Sequence, residues 1–251
     1  MTEFRCCAVV PTYDNPGTLR SVVETIRRDI PDVFVVDDGS GEAGRQACEA
    51  LARDGLARVF RLERNRGKGA AVKRGLREAA DAGFSHAFQI DADGQHDLGQ
   101  IPRFLEAGAA APDHAILGAP IYDDSAPRSR RIGREITRFW VDLETGRGVI
   151  SDSMVGFRIY PLAATLALPV RADRMAFDVE VLVRLVWAGV PLRNLPVAVR
   201  YLSEAEGGRS HFRPFVDNLR ISWMHCRLCT LASIRWCLGG RRPRAALVER
   251  S

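Results

Sequence analysis

No apolar stretch in the sequence is both long enough and free enough of charge to span a bilayer. No hydrophobic leader precedes the first strand-like run, so the expected location is the cytoplasm. The sequence has no G-x-G-x-x-G, hence no dinucleotide fingerprint, and no G-x-x-x-x-G-K-[ST], hence no P-loop nucleotidase. Basic runs interleaved with aromatics are missing, and nucleic acid is not an expected partner. There are no internal repeats and no low-complexity linker. The six cysteines are poorly placed for metal or disulfide chemistry. Cys226-x-x-Cys229 has no second pair at zinc spacing, and Cys6 and Cys7 read as small hydrophobes facing opposite ways in a strand. His96, His211 and His225 do not form a metal-ligand spacing either.

What is present is an ordinary globular composition over 251 residues, 46% hydrophobic and 27% charged, enough for one large domain with its own core. The net charge of +5 suits a solubilising surface or an affinity for anions such as nucleotide phosphates. Apolar runs at 6–10, 33–36 and 86–90, and a less buried one at 58–62, read as strands. Amphipathic helices are expected at about 18–28, 42–53 and 70–82, then at 101–110. Four strand–helix alternations with short connections predict a parallel, doubly wound α/β sheet. A fifth strand is expected at 115–119. Residues 120–135, with Arg128, Arg130, Arg131 and Arg134, read as a mobile loop entering a helix at about 132–145. A turn and strand at 152–158, a helix from 177 and a strand at 192–201 follow.

In such a sheet, ligands bind outside the carboxyl ends of the strands. Three loops at that edge are chemically loaded: 11–17, 37–40 and 91–97. Asp91 and Asp93 lie two apart after a strand, so both carboxylates point the same way and repel unless a cation lies between them. All-oxygen ligands suit a hard cation, Mg2+ or Mn2+, shared with substrate phosphates. The glycine-rich basic loop 64–69 opens a helix whose N-terminus can also meet anions.

Pro11-Thr12-Tyr13, Val36-Asp37-Asp38-Gly39-Ser40, Asn65-Arg66-Gly67-Lys68-Gly69 and Asp91-Ala92-Asp93-Gly94-Gln95-His96 follow in one order. Together with Gly156-Phe157-Arg158, Ala176-Phe177-Asp178-Val179-Glu180 and Gly208-Arg209-Ser210-His211, they make the chain resemble the family 2 glycosyltransferases of GT-A fold over about 9–211. Within them it is most similar to the polyprenyl- and dolichyl-phosphate mannosyl- and glucosyltransferases. The resemblance implies a Rossmann-like, mostly parallel sheet with flanking helices, and a metal-dependent inverting transfer of a hexose from a UDP-glucose or GDP-mannose type of donor. It implies a substrate-binding set of Pro11, Thr12, Tyr13, Asp37, Lys68, Asp91, Ala92, Arg131 and Arg209. Asp37 would accept from a base N–H. Asp91, Asp93 and Gln95 would hold the Mg2+ or Mn2+ ion, with Asp93 also counted as catalytic. The chain departs from the family pattern at Asp14 and Asn15, where an acid such as Glu is usual.

The implied acceptor is a polyprenyl phosphate or another lipid-linked group. A phosphate acceptor is already ionised and needs no base, whereas a soluble or acyl hydroxyl acceptor would need one; Asp178 is the candidate, with Glu180 second. A non-catalytic nucleotide-sugar binder is the remaining alternative, and the intact Asp91, Asp93 and Gln95 weigh against it.

The expected organisation is a catalytic domain at 1–211, an amphipathic helix at 212–240 and a basic tail at 241–251 containing Arg241, Arg242 and Arg244. In that helix Phe212, Val216, Leu219, Trp223 and Cys226 form an apolar stripe, and Arg213, Arg220 and Arg227 repeat at seven-residue spacing. This predicts a peripheral contact with the inner face of a membrane, apolar side down and arginines towards headgroups.

Overall fold

The computed structural model describes residues 3–122, 128–199, 214–238 and 248–250. Eight strands form one sheet: β1 Cys6–Thr12, β2 Val33–Asp37, β3 Arg58–Arg61, β4 His86–Ile90, β5 Ala115–Tyr122, β6 Phe157–Pro161, β7 Leu192–Val199 and β8 Val248–Arg250. Their order is β3-β2-β1-β4-β6-β5-β7-β8. Every neighbouring pair is parallel except those made by β6, which runs antiparallel to both β4 and β5. The mostly parallel α/β fold is therefore as expected, with one reversed strand inserted at its centre. That strand starts at Phe157, later than the 152–158 segment read from the sequence.

The helices are α1 Leu19–Ile26, α2 Glu42–Arg53, α3 Lys68–Asp81, α4 Ile101–Ala110, α5 Arg128–Thr145, α6 Leu162–Leu166, α7 Phe177–Trp187 and α8 Pro214–Cys237. Layering follows periodicity. In α1 the residues at helical spacing, Leu19, Val22, Val23 and Ile26, are the buried ones. β2 and β4 are buried at every position because helices cover both faces, which is why they read as unbroken apolar runs. Two cores result. One, with Val10, Val35, Phe88 and Phe104, lies under α1, α2 and α4; the other, with Val9, Leu76, Phe177 and Leu182, lies under α3 and α7.

Helix α5 begins at Arg128, inside the segment expected to be a loop, and β5 runs on to Tyr122. Neither α6 nor β8, the latter within the expected basic tail, was foreseen. Cys7 is buried and Cys6 half-buried, as their alternation in a strand requires, and Cys226 is exposed on α8.

Helix α8 has two faces. Met224, Leu228 and Ala232 are buried on the domain, while Leu219 and Trp223 are 65% and 72% exposed. The stripe read from the sequence is thus the outer one where it can be seen. The arginines do not share one environment. Arg220 pairs with Asp217 at 3.5 Å, but Arg227 turns inward and meets the buried Glu180 at 2.7 Å. Arg227 is therefore not available to lipid headgroups, since Glu180 supplies the counter-charge that draws it to the domain. Arg213 and Phe212 lie outside the described residues.

Candidate active site

The carboxyl ends of β1, β2 and β4 lie side by side. Thr12 is in register with Asp37, and Asp37 with Arg61 of β3. The loops after these strands are tied together. Asp14 accepts from the Gly41 N–H at 2.8 Å, and its own N–H donates to Ser40 Oγ at 2.9 Å. Asp38 accepts from the N–H groups of Arg66 and Gly67, at 2.8 and 2.7 Å, so it anchors the basic loop. Burial raises the Asp38 carboxyl above its ordinary value, against those two N–H bonds. Gly67 ends that loop at φ +107°, and α3 starts at once with Lys68.

Pro11 and Thr12 are buried and Tyr13 is half-buried. Ala92 is 2% exposed; its carbonyl takes the Thr18 hydroxyl at 2.6 Å, which fastens the acidic loop to α1. Asp37 is wholly buried. Its Oδ1 accepts from the Ser40 N–H at 2.8 Å, and its Oδ2 is paired with the Arg61 guanidinium. The direct acceptance of a base N–H expected of Asp37 is closed off in this arrangement. Sequence reading missed Arg61, because its place opposite the end of β2 is set by the strand register and carries no local signal.

Lys68 sits between two carboxylates, 2.8 Å from Asp91 Oδ2 and 2.9 Å from Asp178 Oδ2. Burial works against the ammonium charge, but Asp178 and then Asp91 hold the Lys68 pKa well above its ordinary value. Lys68 thus belongs with the acidic cluster. Behind it lies a polar layer. Gln89 Nε2 donates to Asp178 Oδ1 at 3.2 Å, the Tyr160 hydroxyl donates to Gln89 Oε1 at 3.2 Å, and Arg158 donates to the Asp178 carbonyl at 2.7 Å. These side chains come from β4, β6 and the first turn of α7, so the reversed strand β6 is what brings Arg158 and Tyr160 under the site.

Asp91 Oδ1 is buried with no hydrogen-bond partner, and Gly156 of the β6 approach lies against the same carboxylate. Burial raises the Asp91 carboxyl above its ordinary value, Lys68 opposing. Asp93 Oδ1 accepts from the Gln95 backbone N–H at 3.0 Å, which closes a tight turn in the acidic loop. Among the described residues no three His, Cys, Asp or Glu side chains gather as a self-sufficient metal cage. Two carboxylates with an orphaned oxygen nevertheless fit a Mg2+ or Mn2+ ion whose remaining ligands are a diphosphate and water. His96 is half-buried and stacks on Phe157 at 5.4 Å; desolvation lowers its pKa, and its buried Nδ1 has no hydrogen-bond partner.

Glu180 does not join this cluster. It accepts from Arg184 at 2.7 Å, from the Arg171 and Ala172 N–H groups at 3.2 and 2.8 Å, and from Arg227. Although burial opposes it, Arg184, the Ala172 N–H and Arg227 hold its carboxyl below the ordinary value. A carboxylate so fully engaged ties α8 to α7 and is unsuited to take a proton from substrate. Arg131 lies in α5 but its side chain is not among those described, and Arg209, His211 and the 241–244 arginines lie outside the described residues. A pocket of about 210 Å³ opens beside α5, lined by Arg134, Arg138, Asp152 and Met154 among others. Arg134 pairs with Asp152 at 2.8 Å across it. Two residues along the chain from Met154 is Gly156, so one short segment runs from the pocket lining to the Asp91 carboxylate.

A doubly wound sheet with one reversed strand and this loaded edge is that of a GT-A glycosyltransferase. Residues 7–168 match Glycosyl transferase family 2, and the chain belongs to that family. The polyprenol monophosphomannose synthase of Mycolicibacterium smegmatis is 25% identical over 256 residues, covering 98% of this chain and 92% of that protein. The undecaprenyl-phosphate mannosyltransferase of Micrococcus luteus is 34% identical over 107 residues, 41% of this chain and 44% of that protein. Glucosyl-3-phosphoglycerate synthase from Mycobacterium tuberculosis, solved with Mn2+, UDP-glucose and phosphoglyceric acid, shares the fold. Its TM-score is 0.66 at 18% identity, covering 91% of this chain and 79% of that one.

Proposed function

We propose that this glycosyltransferase moves a hexose, with inversion, from a nucleotide-diphosphate sugar to a polyprenyl phosphate at a membrane surface. The observation that carries the reading is the Asp91–Asp93 pair at the end of β4, with its orphaned Oδ1, facing the nucleotide loops on the same edge. A divalent ion held there by Asp91, Asp93 and Gln95 would neutralise the charge that develops on the departing nucleotide diphosphate. The protein's own part is positional. Lys68 fixes Asp91 and adds positive charge beside the diphosphate, and the Gln89–Arg158–Tyr160 layer keeps Asp178 and Lys68 in place.

The acceptor assignment draws on the polyprenol- and undecaprenyl-phosphate enzymes among the relatives and on the pocket beside α5. Arg134 and Arg138 there suit an anionic headgroup. With a phosphate nucleophile, Asp178 serves as the counter-charge of Lys68 and not as a base. A hydroxyl acceptor would need Asp178 as its base, a reading favoured only by the phosphoglyceric acid of the fold neighbour. Transfer should be assayed with UDP-glucose and GDP-mannose, Mg2+ and Mn2+, and polyprenyl phosphate, with and without chelator. The expected result is lipid-linked sugar that disappears with chelator; no product from either donor on this acceptor would overturn the reading. On the true acceptor, Asp178→Asn should reduce kcat less than about tenfold, whereas loss of a general base costs roughly 10²–10⁴-fold.

Among the described residues no helix is long and apolar enough to cross a membrane. The membrane contact we propose is interfacial, at the cytoplasmic face. Ile136, Phe139 and Leu143 of α5 recur at helical spacing and are 46–59% exposed, and α5 packs beside α8, which exposes Leu219 and Trp223. We read the exposed apolar side chains of these two packed helices as one membrane-facing surface. Phe139→Glu and Trp223→Glu are each expected to weaken cosedimentation with anionic vesicles by about tenfold or more, because each removes a side chain whose burial contributes roughly 1.5–3 kcal/mol. Unchanged pelleting of the double variant would exclude this face as the contact.

A further inference from the structure

We propose that Arg61 selects the nucleobase. Its guanidinium favours a base with a keto oxygen on the edge it meets, uracil or guanine, over one with an amino group there, cytosine or adenine. The inference rests on the nucleotide-sugar reading above and extends it to the end of the site opposite the metal ligands.

The position follows from the sheet. The order β3-β2-β1-β4 puts Asp37 two strands and Arg61 three strands from β4, about 10 and 14 Å at the usual strand spacing. A nucleoside diphosphate laid along the carboxyl edge, its phosphates at Asp91 and Asp93, therefore extends its base towards β2 and β3. What it meets there is decided by burial. The Asp37 side chain is 1% exposed and that of Arg61 is 39% exposed. Arg61 covers the carboxylate, pairing with Asp37 Oδ2 and donating to the Ser40 carbonyl at 2.7 Å. Those two bonds fix the plane of the guanidinium but use only two of its five N–H groups. Asp37 and Ser40 are thus positioning residues for Arg61, which presents donors and no acceptor to an incoming base.

A donor-only group discriminates by sign. Guanine O6 and the corresponding O4 of a pyrimidine accept, whereas adenine N6 and cytosine N4 donate and would face another donor. One such match or mismatch changes affinity by roughly 5- to 150-fold.

The test is calorimetric titration of the full-length protein with UDP, GDP, CDP and ADP in Mn2+. UDP or GDP should bind at least about tenfold tighter than both CDP and ADP. In Arg61→Met that preference should fall to within about threefold, while affinity for CDP and ADP stays close to wild type. Arg61→Lys retains a cation on Asp37 but loses the fixed planar fork, so it should narrow the preference without unfolding the chain. A preference that survives in both variants, or a wild-type protein that binds all four diphosphates equally, overturns the role of Arg61 and leaves the donor reading standing. If no diphosphate binds in Mn2+, the donor reading falls with it.

Discussion

Lys68→Met should cost about 3 kcal/mol of stability and reduce sugar transfer by about 10²-fold or more. Lys68 is the shared counter-ion of Asp91 and Asp178, within 2.9 Å of both, and the three side chains are 16%, 19% and 5% exposed. Removing one partner of a buried ion pair leaves its carboxylate uncompensated, at a typical 3–5 kcal/mol. Partial exposure of Asp91 puts the expected value at the low end. For a chain of this size that corresponds to a fall in Tm of roughly 6–12 °C. The fall in activity has a separate origin. Without the ammonium between them, Asp91 and Asp178 repel, and Asp91 swings away from the position it shares with Asp93. A misplacement of about 1 Å at a reacting centre can cost about 10²-fold. Lys68→Arg restores the charge and should recover most of the stability, but its larger planar head cannot occupy the same point between two oxygens, so activity should recover much less. Urea unfolding and steady-state kinetics on the same preparations measure both. A Lys68→Met protein with wild-type kcat/KM would show that the bridge serves stability alone.

The amino-acid pattern exposes the first half of this architecture well. Helices 42–53 and 101–110 and strand 86–90 begin and end where periodicity places them, because each is bounded by a local signal and packs on one side or two. The loaded loops at 37–40 and 91–97 are legible for the same reason: they follow fully buried strands. What local pattern does not carry is pairing. Phe157–Pro161 reads as a strand in either direction, and only the finished sheet shows it antiparallel between β4 and β5. The start of α5 was hidden by its charge, since Arg128, Ser129, Arg130 and Arg131 supply no apolar residue before Ile132. The inward turn of Arg227 was hidden too. Seven-residue spacing groups it with Arg220, but the buried Glu180 that captures it lies 47 positions earlier in sequence. Arg61 belongs to this second kind. On an edge strand an arginine reads as solvated, and its contact with Asp37 exists only through the β2–β3 register.

Gly156→Ala should leave a folded protein with transfer reduced by about 10²-fold or more, an effect out of proportion to one methyl group. The Cβ would stand 2.2–2.4 Å from the atoms of the Asp91 carboxylate, closer than any non-bonded contact allows. The two segments cannot simply separate, because the Asp91 N–H donates to the Gly156 carbonyl at 3.2 Å and both flank strands paired in the sheet. The side chain of Asp91 must therefore rotate, breaking its bond to Lys68 and taking its orphaned oxygen out of line with Asp93. Overpacking of this size typically costs 1–3 kcal/mol, which a domain with two full cores can absorb. Metal affinity separates this outcome from general damage. Mn2+ titration in the presence of UDP should show weaker metal binding in Gly156→Ala, while circular dichroism and nucleotide binding without metal change little. If the variant binds Mn2+ and transfers sugar as the wild type does, the Asp91 carboxylate is not the group that glycine was keeping room for.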